Sequence, residues 1–585
     1  MKVFNVEAEK FAPHYSFDLV NLVFSFEFLI LSIIFGTLYS AIYFKREYLG
    51  IKDNDFKLVL FSTLISIIVA SLVNFVPDDS FAHFRVVENL LEFKQYVFNL
   101  NYYVEGTATP LWHLILYIFG FLNFDVPIIA RLISFFSSPL IFLLSINILN
   151  SLSGSKTSNK DSLSISLVLC LCLSLNPMIF VYLGSGMETI IFLVFSLALI
   201  SLVLNEKLKI ASFLGLLIIL TRFDGIIVVL LVSSLVFCKG KIKKNTKNYL
   251  LLTFPSIFSF LLIGIFRQYY FKSFFPHVFE MKTINPEKLF AGINYGTTFI
   301  YNNFIASIIT FVFIFLLLKN FKEYKQLFKN RVFLLFLIAF SLFLSVVAGG
   351  GDWMPSSRYF IVPGIILLII SVYLLFNFFE IKNVKILYSL LIIWPLLTFF
   401  SPIPHIFQKP YMSYSSPYEF INLLNKDGRY LSSVGNVLSD LIKVDGKIYT
   451  RWIGYIPHHV GGRINILDEL CYFYKWDSDE ILTFDKKIKI GHLIEAKPLI
   501  KKFVPDIITN IGSDLGPSPF AFKKVSIKEE LSYWNDFSGN KKDLQKFLED
   551  NYETAFVNKS NENNEGYEGF YILINRYSAK LIDSQ

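Results

Sequence analysis

The sequence predicts a polytopic α-helical membrane protein followed by a smaller domain of mixed polarity. Hydrophobic residues make up 54% of the chain and charged residues only 17%, a balance too apolar for a soluble protein. Apolar runs close to the roughly 20 residues that span a bilayer recur up to about residue 400. Lysines and arginines lie in short loops between these runs. This pattern explains the net charge of +8, so no nucleic-acid partner is predicted.

About twelve apolar runs are predicted to cross the membrane. They occupy residues 20–44, 58–76, 126–149, 163–183, 189–204, 208–220, 226–237, 249–266, 299–318, 332–348, 360–379 and 384–400. The N-terminus lacks the pattern of a cleavable signal peptide, so the first run is expected to remain as an anchor. A further apolar stretch, residues 111–124, is short and is followed at once by Asp125. We therefore expect a re-entrant or interfacial helix there rather than a span.

The loops between the runs fall into two alternating sets, which separates the two sides of the membrane. One set is rich in lysine and arginine and is predicted to be cytoplasmic. It comprises residues 45–57, 156–160, 207–209, 239–247, 319–331 and 382–385. The other set is predicted to be external and comprises residues 77–110, 184–188, 221–225, 271–297 and 349–359. The same rule places the N-terminus and the segment after the last run outside.

Two domains follow from this division. Residues 1–400 are predicted to form a transmembrane catalytic domain, and residues 401–585 an extracytoplasmic soluble domain. β-rich stretches and amphipathic stretches both occur in the second part, which favours an α/β or α+β domain. Strands are expected within residues 446–455, 506–511 and 569–576, and helices within 418–425 and 541–550.

The most distinctive stretch is the first external loop, which begins with the paired carboxylates of Asp78 and Asp79. They directly follow an apolar run, where charge is costly unless it has a function. His83 and Arg85 come next, on a segment at residues 80–93 that is expected to form a helix on the membrane surface. The alternative is a simple helix stop with solvated acids. The charged clusters in the other external loops favour a functional pocket.

These residue types match the needs of sugar transfer from a lipid phosphate, which requires a base and cations for the leaving group. Asp79 is predicted as the catalytic carboxylate, with Asp78 capping the surface helix or orienting an arginine. Candidates for binding the donor phosphate are Arg85, Arg222, Lys282 and Arg358. Candidates for binding sugar or acceptor are His83, Glu105, Trp112, Glu188, Asp224, Asp352, Trp353, His458 and His459. No metal or other cofactor is predicted, although a divalent metal ion is compatible with the site.

Several motifs in order resemble the terminal β-(1→2)-arabinofuranosyltransferase family of mycobacteria, which belongs to the GT-C superfamily. They are DDSFAHFR at 78–85, VEGTATPLW at 104–112, SGMETIIF at 185–192, LTRFDGI at 220–226, PHVFEMK at 276–282 and GGDWMPSSRYFIVP at 350–363. The resemblance continues through GYIPHHVGGRINILDEL at 454–470 and IGHL at 490–493. It implies a GT-C fold, a polyprenyl-phosphate sugar donor, an acceptor glycan outside the membrane and catalytic acids in the first external loop.

The predicted function is a glycosyltransferase that moves a sugar from a polyprenyl-phosphate donor to an extracytoplasmic glycan of the cell envelope. Arabinofuranose is one candidate sugar. The protein is expected to be a multi-pass protein of the inner (plasma) membrane. The alternative is a transporter or flippase of a lipid-linked glycan, for which charges near the bilayer midplane would be expected. Here the charges lie at the ends of the apolar runs.

Overall fold

The structure is a computed structural model with a helical bundle and a six-stranded sheet. It describes residues 2–7, 25–44, 53–153, 159–238, 242–280, 286–320, 330–377, 384–402, 416–450, 452–468, 473, 504–509, 541–560 and 569–581.

The helices are numbered here in chain order. They are α1 (Phe26–Phe44), α2 (Asp53–Val73), α3 (Asp78–Phe93), α4 (Pro110–Phe121), α5 (Val126–Ser153), α6 (Asn159–Ser174), α7 (Pro177–Leu183), α8 (Thr189–Leu204), α9 (Leu208–Thr221), α10 (Gly225–Ser233), α11 (Ile242–Tyr270), α12 (His277–Glu280), α13 (Pro286–Asn302), α14 (Phe304–Asn320), α15 (Arg331–Ala348), α16 (Ile361–Asn377), α17 (Val384–Phe400), α18 (Pro417–Leu441), α19 (Tyr455–Val460) and α20 (Lys541–Asn551). Two 3₁₀ helices, Ser234–Cys238 and Pro355–Phe360, follow α10 and precede α16.

Six helical segments in the described part of the chain are long and apolar enough to cross a membrane. They are Phe26–Phe44, Asp53–Val73, Val126–Leu152, Asn245–Tyr270, Arg331–Ala348 and Pro355–Phe376. Two bent pairs, α6 with α7 and α13 with α14, raise the number to eight if each pair is one span. The predicted continuous run at 299–318 is wrong, because the chain bends by 94° between α13 and α14. Several other predicted spans are helices of 10–17 residues, so the number twelve stays a prediction.

The short apolar helix α4 matches the stretch for which a re-entrant or interfacial helix is predicted. Its 12 residues are about 18 Å long, less than the roughly 30 Å of a bilayer core. Pro110 starts the helix, where a missing amide hydrogen costs nothing. The chain then turns through Asn123 in the left-handed region, and Asp125 accepts a hydrogen bond from the Ile128 amide as α5 begins.

The sheet combines the two ends of the chain. Its strands are β1 (Lys2–Glu7), β2 (Lys447–Thr450), β3 (Asn465–Asp468), β4 (Ile507–Ile508), β5 (Tyr552–Ser560) and β6 (Gly569–Asn575), in the order β1-β5-β6-β4-β2-β3. Strands β2, β4 and β6 lie within the three stretches predicted to form strands. β1 runs parallel to β5, with Lys2 opposite Ala555. Residues 2–7 therefore belong to the sheet and not to the transmembrane domain to which the sequence assigned them.

The predicted external loops meet at one end of the bundle. Ser80 donates a hydrogen bond to the Ser185 carbonyl, and the His277 amide donates to the Glu105 carbonyl. The C-terminal part is attached at the same end, because Asn425 on α18 donates to the carbonyl of Val73 where α2 ends. These contacts bring residues from distant parts of the sequence around α3.

Candidate active site

Helix α3 carries predicted site residues on two faces. Because a helix turns by about 100° per residue, the adjacent Asp78 and Asp79 point in different directions. Asp79 and His83 are four residues apart and share one face, whereas Asp78 and Arg85 are seven apart and share another. The first face meets the polar loops of the bundle, and the second meets the C-terminal part of the chain.

Asp79 faces a buried arginine. Its carboxylate is 28% exposed, and Oδ2 lies 3.8 Å from an Nη1 of Arg358. Arg358 also donates from Nε to Asp352 at 2.8 Å. The two residues before it, Ser356 and Ser357, both have a φ of 55°, a left-handed conformation that is unfavourable for residues other than glycine. Because of this turn, the Arg358 side chain lies in the polar cluster although the residue comes directly before the apolar helix α16.

A second arginine lies in the break between α9 and α10. Arg222 donates to both carboxylate oxygens of Asp224, at 3.0 and 2.9 Å, and to Glu188 at 3.3 Å. Its guanidinium carbon lies 4.8 Å from the ring centre of Tyr359, and that of Arg358 lies at the same distance from this ring. Tyr359 therefore joins the two arginines into one cluster through cation–π contacts.

The cluster of Asp79, Glu188, Arg222, Asp224, Asp352 and Arg358 holds four carboxylates against two guanidinium groups. A bound phosphate would add negative charge to this excess. A further buried cation lies nearby, because the aliphatic part of Lys288 on α13 packs against Gly350, two residues before Asp352. No sequence pattern distinguishes Lys288. The predicted phosphate-binding residue Lys282 lies outside the described residues.

A chain of hydrogen-bonded rings approaches the cluster from the other side. Nδ1 of His83 lies 2.8 Å from Nε2 of His113, and Nδ1 of His113 lies 2.7 Å from the Tyr96 hydroxyl. Nε2 of His83 is 3.8 Å from Oε2 of Glu188. Burial lowers the pKa of His83 to about 4, so its ring is neutral at pH 7. His113 was missed because it lies in an apolar stretch, and Tyr96 because a single tyrosine in a loop gives no distinctive sequence signal.

Asp78 serves the contact between α3 and the C-terminal part. Its carboxylate accepts hydrogen bonds from the amides of Gly454 at 3.0 Å and Tyr455 at 2.7 Å. It therefore caps α19, and the predicted side-chain cap on its own helix is absent. Gly454 is needed here because a Cβ atom would collide with the backbone of Asp78. Burial raises the pKa of Asp78 to about 7.

Arg85 also belongs to this contact, which corrects its assignment to the donor phosphate. It is buried and donates to the carbonyls of Phe98, Pro457, Gly461 and Ile464. Three of these four carbonyls belong to the loop that follows α19 or to α19 itself. With Nε, Nη1 and Nη2 all donating to backbone, Arg85 has a structural role in this conformation.

The two histidines of the GYIPHH motif lie at the same contact. Nδ1 of His458 is 3.0 Å from a carboxylate oxygen of Glu88 on α3. The rings of His458 and His459 lie 5.3 and 5.9 Å from the ring of Phe81. The two histidines therefore lie on the face of α3 that meets the C-terminal part and not in the Asp79 cluster.

The remaining predicted residues, Glu105, Trp112 and Trp353, are buried or half-buried. Glu105 is buried and accepts from Arg267 at 3.0 Å, an ion pair that the sequence analysis missed. Trp112 is fully buried, so its ring offers no face to a sugar and its predicted role is corrected. Trp353 is half-buried and contacts Phe420 edge-on, with ring centres 6.3 Å apart. Within the described residues, no three His, Cys, Asp or Glu side chains are grouped as metal ligands.

Comparison with known proteins finds similarity among solved structures. No protein-family model matches the chain, and no curated protein sequence gives a significant match. Among solved structures, the chain is similar to ArnT from Cupriavidus metallidurans in a crystal structure bound to undecaprenyl phosphate. The TM-score is 0.41 and the identity 11%, over 88% of this chain and 97% of ArnT. A similarity of this degree carries no conclusion about function.

Proposed function

We propose that the protein is a GT-C-type membrane glycosyltransferase that moves a sugar from a polyprenyl phosphate to a glycan outside the membrane. The observation that carries the proposal is the position of Asp79. It is a partly exposed carboxylate just beyond an apolar helix, and a buried arginine faces it. A base and a cation for the leaving group are the two requirements of this reaction.

In the proposed reaction, the acceptor hydroxyl attacks the anomeric carbon while Asp79 takes its proton. The bond between the anomeric carbon and the phosphate oxygen breaks, and its electron pair leaves with polyprenyl phosphate. Arg358 and Arg222 stabilise the charge on the departing phosphate. Direct displacement inverts the anomeric centre, whereas net retention would require a covalent intermediate or attack from the same face.

The ion pairs of the cluster suggest where the phosphate enters. Arg358 is 2.8 Å from Asp352 but 3.8 Å from Asp79, so its contact with Asp79 is the looser one. A phosphate oxygen that approaches Arg358 from the Asp79 side replaces this loose contact and leaves the pair with Asp352 intact. Lys282 remains a candidate for the phosphate, and Lys288 is a second buried candidate.

The alternative is a transporter or flippase of a lipid-linked glycan. Transporters commonly hold their substrate sites near the bilayer midplane. Here Asp79, Glu188 and Arg222 all lie at or next to helix ends, which favours an enzyme acting at the membrane surface. We propose that this surface is the outer face of the plasma membrane, with the C-terminal part on the same side, and that arabinofuranose is one candidate sugar.

The proposal is tested by incubating purified protein with polyprenyl-phosphate sugars and an envelope glycan and measuring released polyprenyl phosphate. Asp79→Asn should lower turnover about a hundredfold or more with donor binding largely kept, because it removes the base but keeps the size. Asp78→Asn should cost less. Wild-type turnover in Asp79→Asn would place the base elsewhere. Movement of intact lipid-linked glycan across proteoliposomes, without release of polyprenyl phosphate, would support the transporter.

A further inference from the structure

The chain of Tyr96, His113 and His83 determines which nitrogen of His83 carries hydrogen. A neutral imidazole has one donor nitrogen and one acceptor nitrogen, so hydrogen bonds through both rings must run in a single direction. Nδ1 of His83 lies 2.8 Å from Nε2 of His113 and 3.3 Å from the hydroxyl of Thr109. Two potential donors therefore converge on this nitrogen.

The carboxylate of Glu188 selects one of the two directions. It can only accept hydrogen bonds, and it faces Nε2 of His83. The favourable arrangement has the Tyr96 hydroxyl donating to Nδ1 of His113, Nε2–H of His113 donating to Nδ1 of His83, and Nε2–H of His83 directed at Glu188. The reverse direction would place two lone pairs against each other. The lowered pKa of His83 is consistent with the neutral ring that this chain requires.

The distance between Nε2 of His83 and Oε2 of Glu188 matches one bridging hydroxyl group. The two atoms are 3.8 Å apart, too far for a direct hydrogen bond. Oε2 of Glu188 is buried and has no hydrogen-bond partner among the described residues, whereas Oε1 accepts from Arg222. A hydroxyl oxygen about 2.8 Å from both atoms can donate to Glu188 and accept from His83. A carbonyl cannot donate and an ammonium group cannot accept, so neither satisfies both sides.

We propose that Nε2–H of His83 and Oε2 of Glu188 form a subsite for one sugar hydroxyl, and that His113 and Tyr96 are positioning residues that set the tautomer. The inference rests on the proposed glycosyltransferase function. Glu188 holds Arg222, which shares the ring of Tyr359 with the arginine that faces Asp79. The hydroxyl therefore belongs to a sugar bound in the reacting cluster, and the subsite discriminates among sugars by the position of that hydroxyl.

The test uses single-position deoxy and fluoro analogues of the polyprenyl-phosphate sugar that the wild-type protein transfers, and of the acceptor's terminal sugar. Removal of one particular hydroxyl should lower kcat/KM by about tenfold or more, and fluorine should not replace it because it cannot donate. In Glu188→Gln and Tyr96→Phe this penalty should shrink severalfold, while penalties at other positions stay unchanged. Tyr103→Phe is the matched control and should keep the full penalty, because Tyr103 is exposed and packs on Tyr270, whose hydroxyl accepts from the Tyr96 amide.

The outcomes separate this inference from the proposed function. If the wild-type protein transfers sugar but no single hydroxyl matters by more than about twofold, the subsite is refuted without any variant, and the transferase stands. The subsite is also refuted if removal of the important hydroxyl lowers kcat/KM equally in wild type, Glu188→Gln and Tyr96→Phe. A water molecule would then bridge His83 and Glu188 instead of a sugar hydroxyl. If no polyprenyl-phosphate sugar is turned over at all, the proposed function fails and the inference fails with it.

Discussion

Arg85→Met separates the structural role of Arg85 from the phosphate-binding role that the sequence predicted. Methionine keeps much of the aliphatic length but removes every hydrogen-bond donor. Four carbonyls at the contact between α3 and the C-terminal part then lose the arginine donor. The Phe98 carbonyl still accepts from the Asn89 side chain and the Gly461 carbonyl from the Ile464 amide, so Pro457 and Ile464 are affected most. The effect should therefore appear first in stability and only then in the reaction.

The magnitude follows from the carbonyls of Pro457 and Ile464. Leaving a buried acceptor without a donor costs about 1 to 3 kcal/mol each, and water admitted at the edge of the contact recovers part of this. For the two carbonyls of Pro457 and Ile464 this sums to about 2 to 6 kcal/mol, less the part that water recovers. The control Arg463→Met removes an arginine of the same loop whose side chain is 62% exposed and 3.7 Å from Glu92. It should cost no more than about 1 kcal/mol.

Thermal unfolding in detergent and limited proteolysis of the C-terminal part measure the structural loss, and the donor KM measures phosphate binding. Arg85→Met should unfold earlier and expose the C-terminal part to protease, whereas Arg463→Met should resemble wild type. Activity should fall through kcat, because α3 also carries Asp79. An unchanged melting temperature together with a strongly raised donor KM would refute the structural assignment and restore Arg85 to the phosphate site.

Three further predictions address the site and the topology. Arg358→Ala should weaken donor use by about 2 to 4 kcal/mol of transition-state stabilisation, and wild-type kcat/KM at limiting donor would remove Arg358 from the site. Burial lowers the pKa of His83 from 6.5 to about 4, so the unfolded chain binds the proton more readily between these values and stability should fall as pH drops through this window. His83→Gln should flatten the plot of melting temperature against pH in this window. An unchanged slope would show that other groups cause the pH dependence. Cysteines at Gly351 and Lys243 should react with an impermeant label from opposite sides, and labelling of both from one side would overturn the segmentation.

Much of the candidate site was predictable because a charged residue at the end of an apolar run must face the polar side of the membrane surface or a polar pocket. Glu188, Arg222 and Asp352 each lie beside a helix end and were predicted to face the same side from charge alternation alone. The contacts among these residues and Asp79 agree with that grouping. The bend between α13 and α14 was missed because hydropathy averaged over the run hides the two asparagines, Asn302 and Asn303, at which the chain changes direction.

The sequence by itself determined the helical character of the bundle, the loops that meet at one end and the carboxylates and arginines of the cluster, because hydropathy and charge are local properties. The tertiary structure decided which of two adjacent aspartates faces Arg358, since one residue of helical rotation separates their directions. It also decided that Arg85 is held by a loop more than 370 residues away and that β1 pairs with β5. Such partners lie far apart in sequence, and backbone carbonyls and strand edges are present in every segment, so no local pattern identifies them.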